Sequence, residues 1–471
     1  MSESSPTVRQ SRACVWIVLF FLGLYLLVAG EGFYSTDGET MLRTTWAIVD
    51  RQRLSVPCDP GQPSAVQGRG DRCYSRYGLG QPIAAIPLYV LGKGLVAAIP
   101  SLDYGETLRF VVSRLNAIIT ALTCGVVCAL GRLLYRSARM GVGLSLLYGL
   151  CTLAWPYSRF YFNEPLTALS LLGVLYGVLA YRRDGQDRWL VLGGAAFGYA
   201  LLTRTTSAVW LPPLLIYLWL AARDRSAVEA GGIVQSRPRR AVALFLLPVL
   251  ALGLIQAGYQ YWAFGSPFGG YEGEGWQTPL LWGLYGLLLS PGKSLLLFVP
   301  LAILAPWGWA TWASEGRRRE AWLFASLFLI WLLLHATWWT WHGGWSWGPR
   351  FLVPVLALLI LPLGSVWAKG PGARAAIVIL AILGFCVQLG GVLVNFNDYM
   401  LLVNDEDKVL FNPAFFPILG HWLLLWNGAP PDLAVLHRPA PGNLLWGLLA
   451  VLLMIFGGVN AMKAARSTKP L

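Results

Sequence analysis

ACVWIVLFFLGLYLLVAG, residues 13–30, followed at once by EGFYSTDGET, residues 31–40, is the stretch that decides the fold. Eighteen residues without a charge reach across most of a hydrocarbon core of about 30 Å at about 1.5 Å per helical residue. Arg9 and Arg12 precede the run, and it ends without a small-residue cleavage site, so it reads as a retained first span with its amino end in the cytoplasm. Two carboxylates one residue apart, Asp37 and Glu39, then follow just beyond the span. Ionised groups so close to lipid are costly and mark sites of work.

The rest of the chain has the same character. Of its 471 residues 56% are hydrophobic and 13% charged, against about 25% charged in soluble domains. This excludes a soluble protein. The net charge of +13 lies in short loops between apolar runs, where membrane orientation and anionic headgroups explain it, and no nucleic-acid signature accompanies it.

Further apolar runs fall at 109–131, 140–157, 165–181, 189–203, 207–221, 241–264, 294–312, 321–337, 351–367, 375–394 and 444–460, which makes about twelve transmembrane helices. With that count the basic clusters Arg132/Arg136/Arg139, Arg182/Arg183/Arg188, Arg223 to Arg240, Arg317 to Arg319, Lys369/Arg374 and Lys463/Arg466/Lys469 all fall inside. Residues 82–98 and 280–289 are also apolar, but Pro82, Pro87, Lys93 and a short length make the former an interfacial or re-entrant helix, and the latter reads the same way. The expectation is an all-α polytopic protein of the cell membrane, a single domain over 1–471 with both termini cytoplasmic. Its large extracytoplasmic loops are 31–108 and 395–443. Cys58 and Cys73 lie in the first of these loops, where an oxidising compartment would allow a disulfide; two free thiols stay open as the alternative.

Polar residues from distant parts of the chain gather on the outer face. The first group is Asp37 and Glu39 in Ser35-Thr36-Asp37-Gly38-Glu39; helix capping accounts for one of the acids, not for both. The second is Arg159 to Pro165, in which Glu164 stands before a proline that can open a helix. The third, Trp338 to Arg350, packs five tryptophans with His342, Gly343, Gly344, Gly348, Pro349 and Arg350; an aromatic belt explains the first tryptophans, whereas the glycines argue for a shaped turn. A guanidinium at headgroup level suits a phosphate. The fourth comprises Arg204, Lys293 and Arg76 with Tyr77, each of which could equally snorkel to headgroups. The four histidines have no metal-ligand spacing, and neither a Walker loop nor a Gly-x-Ser-x-Gly elbow occurs.

At these residues the chain resembles the membrane-embedded glycosyltransferases of the GT-C superfamily, near the bacterial protein-mannosyltransferase-like and aminoarabinose-transferase-like branch. The resemblance is carried by the acid pair, by Arg76-Tyr77-Gly78-Leu79-Gly80-Gln81-Pro82-Ile83, by Arg159 to Pro165, by Leu202-Thr203-Arg204 and by Gly343 to Arg350. It implies a sugar donor on a polyprenyl phosphate, used on the extracytoplasmic face, with an acid of the first loop as catalytic base. Asp37 takes that position, Glu39 is the second acid, and Glu164 matches the acid of the next outer loop. Relatives of the aminoarabinose branch tend to carry a basic residue where this chain has Gln81, which leaves the donor-phosphate cation to be assigned.

The resulting expectation is an inverting single displacement. The acceptor, a glycan, lipid or protein hydroxyl, gives its proton to Asp37 while the lipid phosphate leaves toward Arg350, Arg204 and Lys293, with His342 and Arg76 beside them. Glu39 and Glu164 orient hydroxyls or help to hold a divalent cation; no cofactor is demanded by the sequence. The rival reading is a multi-span transporter or lipid flippase, but such folds place ionisable residues near the midplane, whereas this chain places its acids at one face.

Overall fold

The computed structural model describes residues 6–30, 32–229, 237–437 and 441–466. Loop residues 230–236 and Lys469, which the sequence reading uses for orientation, lie outside the described residues. Every one of the twelve apolar runs is helical, and the described strands amount to one small sheet. Among the described residues eight helices are long and apolar enough to cross a membrane. Their outward faces are apolar: Leu247 and Leu254 on the helix Arg237–Phe264 are each 70% exposed, and Leu448, Leu452 and Ile455 on Pro441–Arg466 are exposed as well. A chain that turns leucine outward along whole helices is solvated by lipid. The protein is a polytopic membrane protein.

Several expected spans differ in detail. Gly80–Ala98 runs unbroken for 19 residues through Pro87, and by length and composition it joins the eight rather than the shorter apolar helices. The second span begins earlier, as the amphipathic helix Tyr104–Ser113, which breaks at Arg114 before Leu115–Tyr135. Residues 294–312 and 351–367 form short pieces, because Pro300, Pro306, Pro354 and Pro362 interrupt the hydrogen-bond ladder.

The chain divides into two compact units. The first comprises residues 1–31, 117–159 and 276–471. In it the helix Pro6–Leu27 packs antiparallel on Pro441–Arg466: Trp446 donates to the Leu26 carbonyl at 3.2 Å, and Trp16 meets Phe456 edge-on at 5.2 Å. The contact is backbone-close because a Cβ on Gly23 would lie 2.4 Å from the Ala450 carbonyl oxygen, and one on Gly457 2.4 Å from the Phe20 nitrogen. Such glycine seams let membrane helices pack without help from water. Arg159 reaches the Val392 carbonyl and Asp432, tying the end of the Ala154–Tyr157 turn to the end of the helix Pro371–Leu393 and to the segment that follows it.

The second unit comprises residues 32–116 and 160–275. Helices Glu164–Asp184, Arg188–Thr203 and Arg237–Phe264 pack together through small residues; a Cβ on Gly194 would come within 2.1 Å of the Phe245 carbonyl oxygen. The segment after the first span supplies the helix Thr36–Arg51 and an antiparallel sheet, β1 (Ser55–Val56), β2 (Ala65–Gln67) and β3 (Cys73–Ser75) in the order β1-β3-β2, with Val56 opposite Cys73 and Val66 opposite Tyr74. Cys58 and Cys73 are joined in a disulfide.

Candidate active site

In the second unit, Ser35 caps the helix Thr36–Arg51 by accepting from the Gly38 amide at 3.1 Å, which puts Asp37 and Glu39 in the first turn. The exposed amides of that turn favour negative charge there. The two acids have different surroundings. Asp37 accepts from Ser64 Oγ at 3.0 Å, and Ser64 also lies 3.3 Å from the Tyr77 hydroxyl. Glu39 is held by Arg109, at 2.8 and 3.3 Å, and by Arg43 at 3.2 Å. Burial raises the Glu39 carboxyl, but Arg109 and Arg43 outweigh it and keep it below the usual range.

Glu164 opens its helix with Pro165 in the first turn and is buried; its Oε1 accepts from Arg204 at 2.9 Å. Arg204 has an extended backbone between the helix Arg188–Thr203 and the turn Thr205–Trp210, and it also donates to Asn163 Oδ1 at 3.4 Å. The Arg76-to-Pro82 segment lies on the same turn. A Cβ on Gly78 would meet the Leu202 carbonyl oxygen at 2.2 Å, and one on Gly80 would meet Thr203 Oγ1 at 2.1 Å. Those two glycines therefore let motifs more than a hundred residues apart share one turn. Gln81, fully buried, donates to Asn116, which holds the Phe160 and Phe162 carbonyls at 2.5 and 2.7 Å. The residue that stands in place of a cation thus builds the turn that delivers Glu164.

Arg76 pairs with Glu274 at 2.6 Å and lies 5.3 Å over the Tyr271 ring. Burial pushes the Tyr271 hydroxyl up to about 12, while Arg204 and Arg76 pull it down and Asp37 and Glu274 push it up, so all four charges act on this one phenol. Asp37, Arg76 and Arg204 thus lie within electrostatic reach of Tyr271, and Arg204 ties Glu164 to them. Sequence reasoning missed Tyr271, Glu274, Arg109 and Ser64. The signal for the first two was Gly270-Tyr271-Glu272-Gly273-Glu274-Gly275, an acidic loop whose Gly270 and Gly273 take positive φ.

The first unit holds the remaining predicted residues. Lys293, 1% exposed, donates to the Gly344 carbonyl at 3.0 Å, the Ser346 carbonyl at 2.6 Å and Ser346 Oγ at 3.0 Å, so all its donors clamp the tryptophan-rich loop. His342 Nδ1 lies 3.0 Å from Glu406 Oε1. Arg350 packs on the positive-φ Gly343, where a Cβ would lie 2.8 Å from Arg350 Cγ. Among the described residues no three His, Cys, Asp or Glu side chains converge as metal ligands. Glu39 and Glu164, the acids considered for a divalent cation, are instead turned to arginines, so their donor set does not fit one.

Residues 104–250 match the family model described as dolichyl-phosphate-mannose-protein mannosyltransferase. The resemblance carried by the motifs is thereby borne out: the chain is similar to membrane glycosyltransferases that use a polyprenyl-phosphate carrier. None of the curated proteins matches. Among solved structures, ArnT from Cupriavidus metallidurans bound to undecaprenyl phosphate aligns over 95% of this chain and 77% of its own at 17% identity, with a TM-score of 0.48. The same protein in the apo state aligns over 97% and 77%, again at 17% identity and 0.48. The archaeal oligosaccharyltransferase AglB from Archaeoglobus fulgidus, in complex with an inhibitory peptide and a dolichol-phosphate, aligns over 98% of this chain and 56% of its own at 14% identity and 0.48.

Proposed function

We propose that this chain is an integral-membrane glycosyltransferase of the cell membrane. It moves a sugar from a polyprenyl-phosphate carrier to a glycan, lipid or protein hydroxyl on the extracytoplasmic face, with both termini cytoplasmic and the whole of 1–471 acting as one catalytic domain. The observation that carries the reading is Asp37, a half-buried carboxylate steadied by Ser64 and sharing the surroundings of Tyr271 with Arg76 and Arg204. An acid beside cations suits a reaction in which a proton leaves a hydroxyl while charge builds on a phosphate. The family match over 104–250 supports the donor class. The antiparallel first and last helices support termini on one side of the membrane.

In the displacement, the acceptor oxygen forms its bond to the anomeric carbon and its proton passes to the Asp37 carboxylate. The bond from that carbon to the phosphate oxygen breaks, and the electron pair leaves with the lipid phosphate. A positioned base contributes on the order of 10² to 10⁴ in rate, and fixed cations in a site with little water stabilise the leaving group further. Arg204, aimed by Glu164, leads as phosphate ligand in the second unit, and Arg350 is the corresponding candidate of the first unit considered by itself. Lys293 and His342 act by holding the loop that carries Arg350, and Glu39 by anchoring the helix of Asp37.

The test is Asp37→Asn in reconstituted membranes supplied with a panel of polyprenyl-phosphate sugars. Transfer should fall at least about a hundredfold while binding of the carrier phosphate persists. Full activity in that variant would remove Asp37 from the chemistry.

A further inference from the structure

After the helix Thr36–Arg51 the chain doubles back along it. Arg43 donates to Asp59 Oδ2 at 3.2 Å, Thr40 Oγ1 to Gln62 Oε1 at 3.3 Å, and Ser64 Oγ to Asp37 Oδ1 at 3.0 Å. Residues 37, 40 and 43 share one face of the helix at a spacing of three, and their partners 64, 62 and 59 run the opposite way. The loop is laid on the helix like a splint.

Both ends of the splint are fixed. At one end the Cys58–Cys73 disulfide joins it to β3, which is paired on both sides. At the other end the Arg76 amide donates to the Ser64 carbonyl at 3.1 Å, and Ser64 is 4% exposed. Between them Asp59 turns the chain by accepting from the Gly61 amide at 3.0 Å. An aspartate carboxyl has a broad terminal torsion, so its plane is set by what holds its oxygens.

We propose that Ser64 is a positioning residue for Asp37, and that the disulfide-closed loop Cys58–Cys73 holds Ser64 at the hydrogen-bonding distance the carboxyl requires. The inference rests on the reading of Asp37 as the base. It makes the cystine part of the active site's geometry rather than a remote staple. A misplacement of about 1 Å at a reacting group is enough to cost about a hundredfold in rate.

The experiment measures kcat and KM for a polyprenyl-phosphate sugar with the full chain in proteoliposomes. Ser64→Ala should lower kcat about tenfold to a hundredfold with donor KM within about twofold, the pattern of an interaction made in the transition state. Ser64→Thr, which keeps the hydroxyl, should recover activity to within about threefold. Replacing both Cys58 and Cys73 by Ala should reproduce the kcat loss, and adding Ser64→Ala to that variant should lower it little further, because the groups act as one unit. Unchanged kcat in Ser64→Ala, a Thr variant no better than the Ala one, or losses that multiply in the triple variant would each overturn the proposal. Asp37→Asn, run alongside, separates the two readings. An inactive Asp37→Asn with a fully active Ser64→Ala rejects the positioning role alone, whereas an active Asp37→Asn rejects the base and this role with it.

Discussion

Replacing Lys293 by Met should produce a stability difference that changes with pH in a defined direction. The amine is 1% exposed and gives its protons to the Gly344 and Ser346 carbonyls and Ser346 Oγ. Burial lowers it from 10.5 to about 7, with Glu406 opposing the shift and Arg350 reinforcing it. Below pH 7 the amine is charged in both folded and unfolded chains and contributes no slope. Between about 7 and 10.5 the unfolded chain binds the extra proton, so wild-type stability rises with pH by up to about 1.4 kcal/mol per unit. From pH 7 to 8.5 that amounts to about 2 kcal/mol, a term absent from Lys293→Met.

At pH 8.5 the variant also leaves the Ser346 carbonyl without this donor, which costs about 1–3 kcal/mol. The deficit of Lys293→Met should therefore be clear at pH 8.5 and shrink toward zero near pH 7. Unfolding of the detergent-solubilised proteins at pH 6.5, 7.5 and 8.5, followed by tryptophan fluorescence, measures the gap; donor KM is measured on the same samples. A gap that is flat across this range, or a tenfold rise in donor KM without loss of stability, would refute the clamp and return Lys293 to the phosphate.

Glu39→Gln should cost only about 1 kcal/mol at pH 7, because Arg109 is half exposed and the Arg43 pair is an i,i+4 contact on a helix surface. Since the folded carboxyl lies below 4.5, that difference should persist above pH 4.5, close as the pH falls further and shrink in 1 M salt; acid titration of both proteins by circular dichroism checks it. Gly80→Ala should push its new Cβ into Thr203, otherwise 2.1 Å away, and cost about 1–3 kcal/mol together with a fall in transfer rate, read by thermal unfolding and the transfer assay.

The helices were legible because lipid imposes length and apolarity on every span, and charge at the rim stands out against that background. The runs at 165–181 and 241–264 fold where composition places them. Proline-broken stretches such as 351–367 read as single spans since apolarity does not reveal where the ladder breaks. Asp37 and Arg204 could be singled out, but not their shared surroundings, because Tyr271 and Glu274 sit in a glycine-rich loop without periodicity. Lys293 illustrates the deeper limit. A lone lysine at a membrane boundary looks the same in sequence whether its amine meets a ligand or closes a loop, and only the carbonyls of Gly344 and Ser346 decide between them. The division into two units, each stitched from separated segments, has no local signature at all.

The glycine seam between Pro6–Leu27 and Pro441–Arg466 bears on biogenesis. At roughly 5–20 residues per second the ribosome needs on the order of 20–90 s to make the helix that covers Gly23 after the first one has emerged. Throughout that interval the opening helix waits in the insertion machinery or in lipid with its notched side uncovered. Maturation of this unit therefore waits for synthesis of residues 441–466, and a nonsense mutation ahead of residue 441 should yield a product that inserts but is cleared by membrane proteases instead of accumulating.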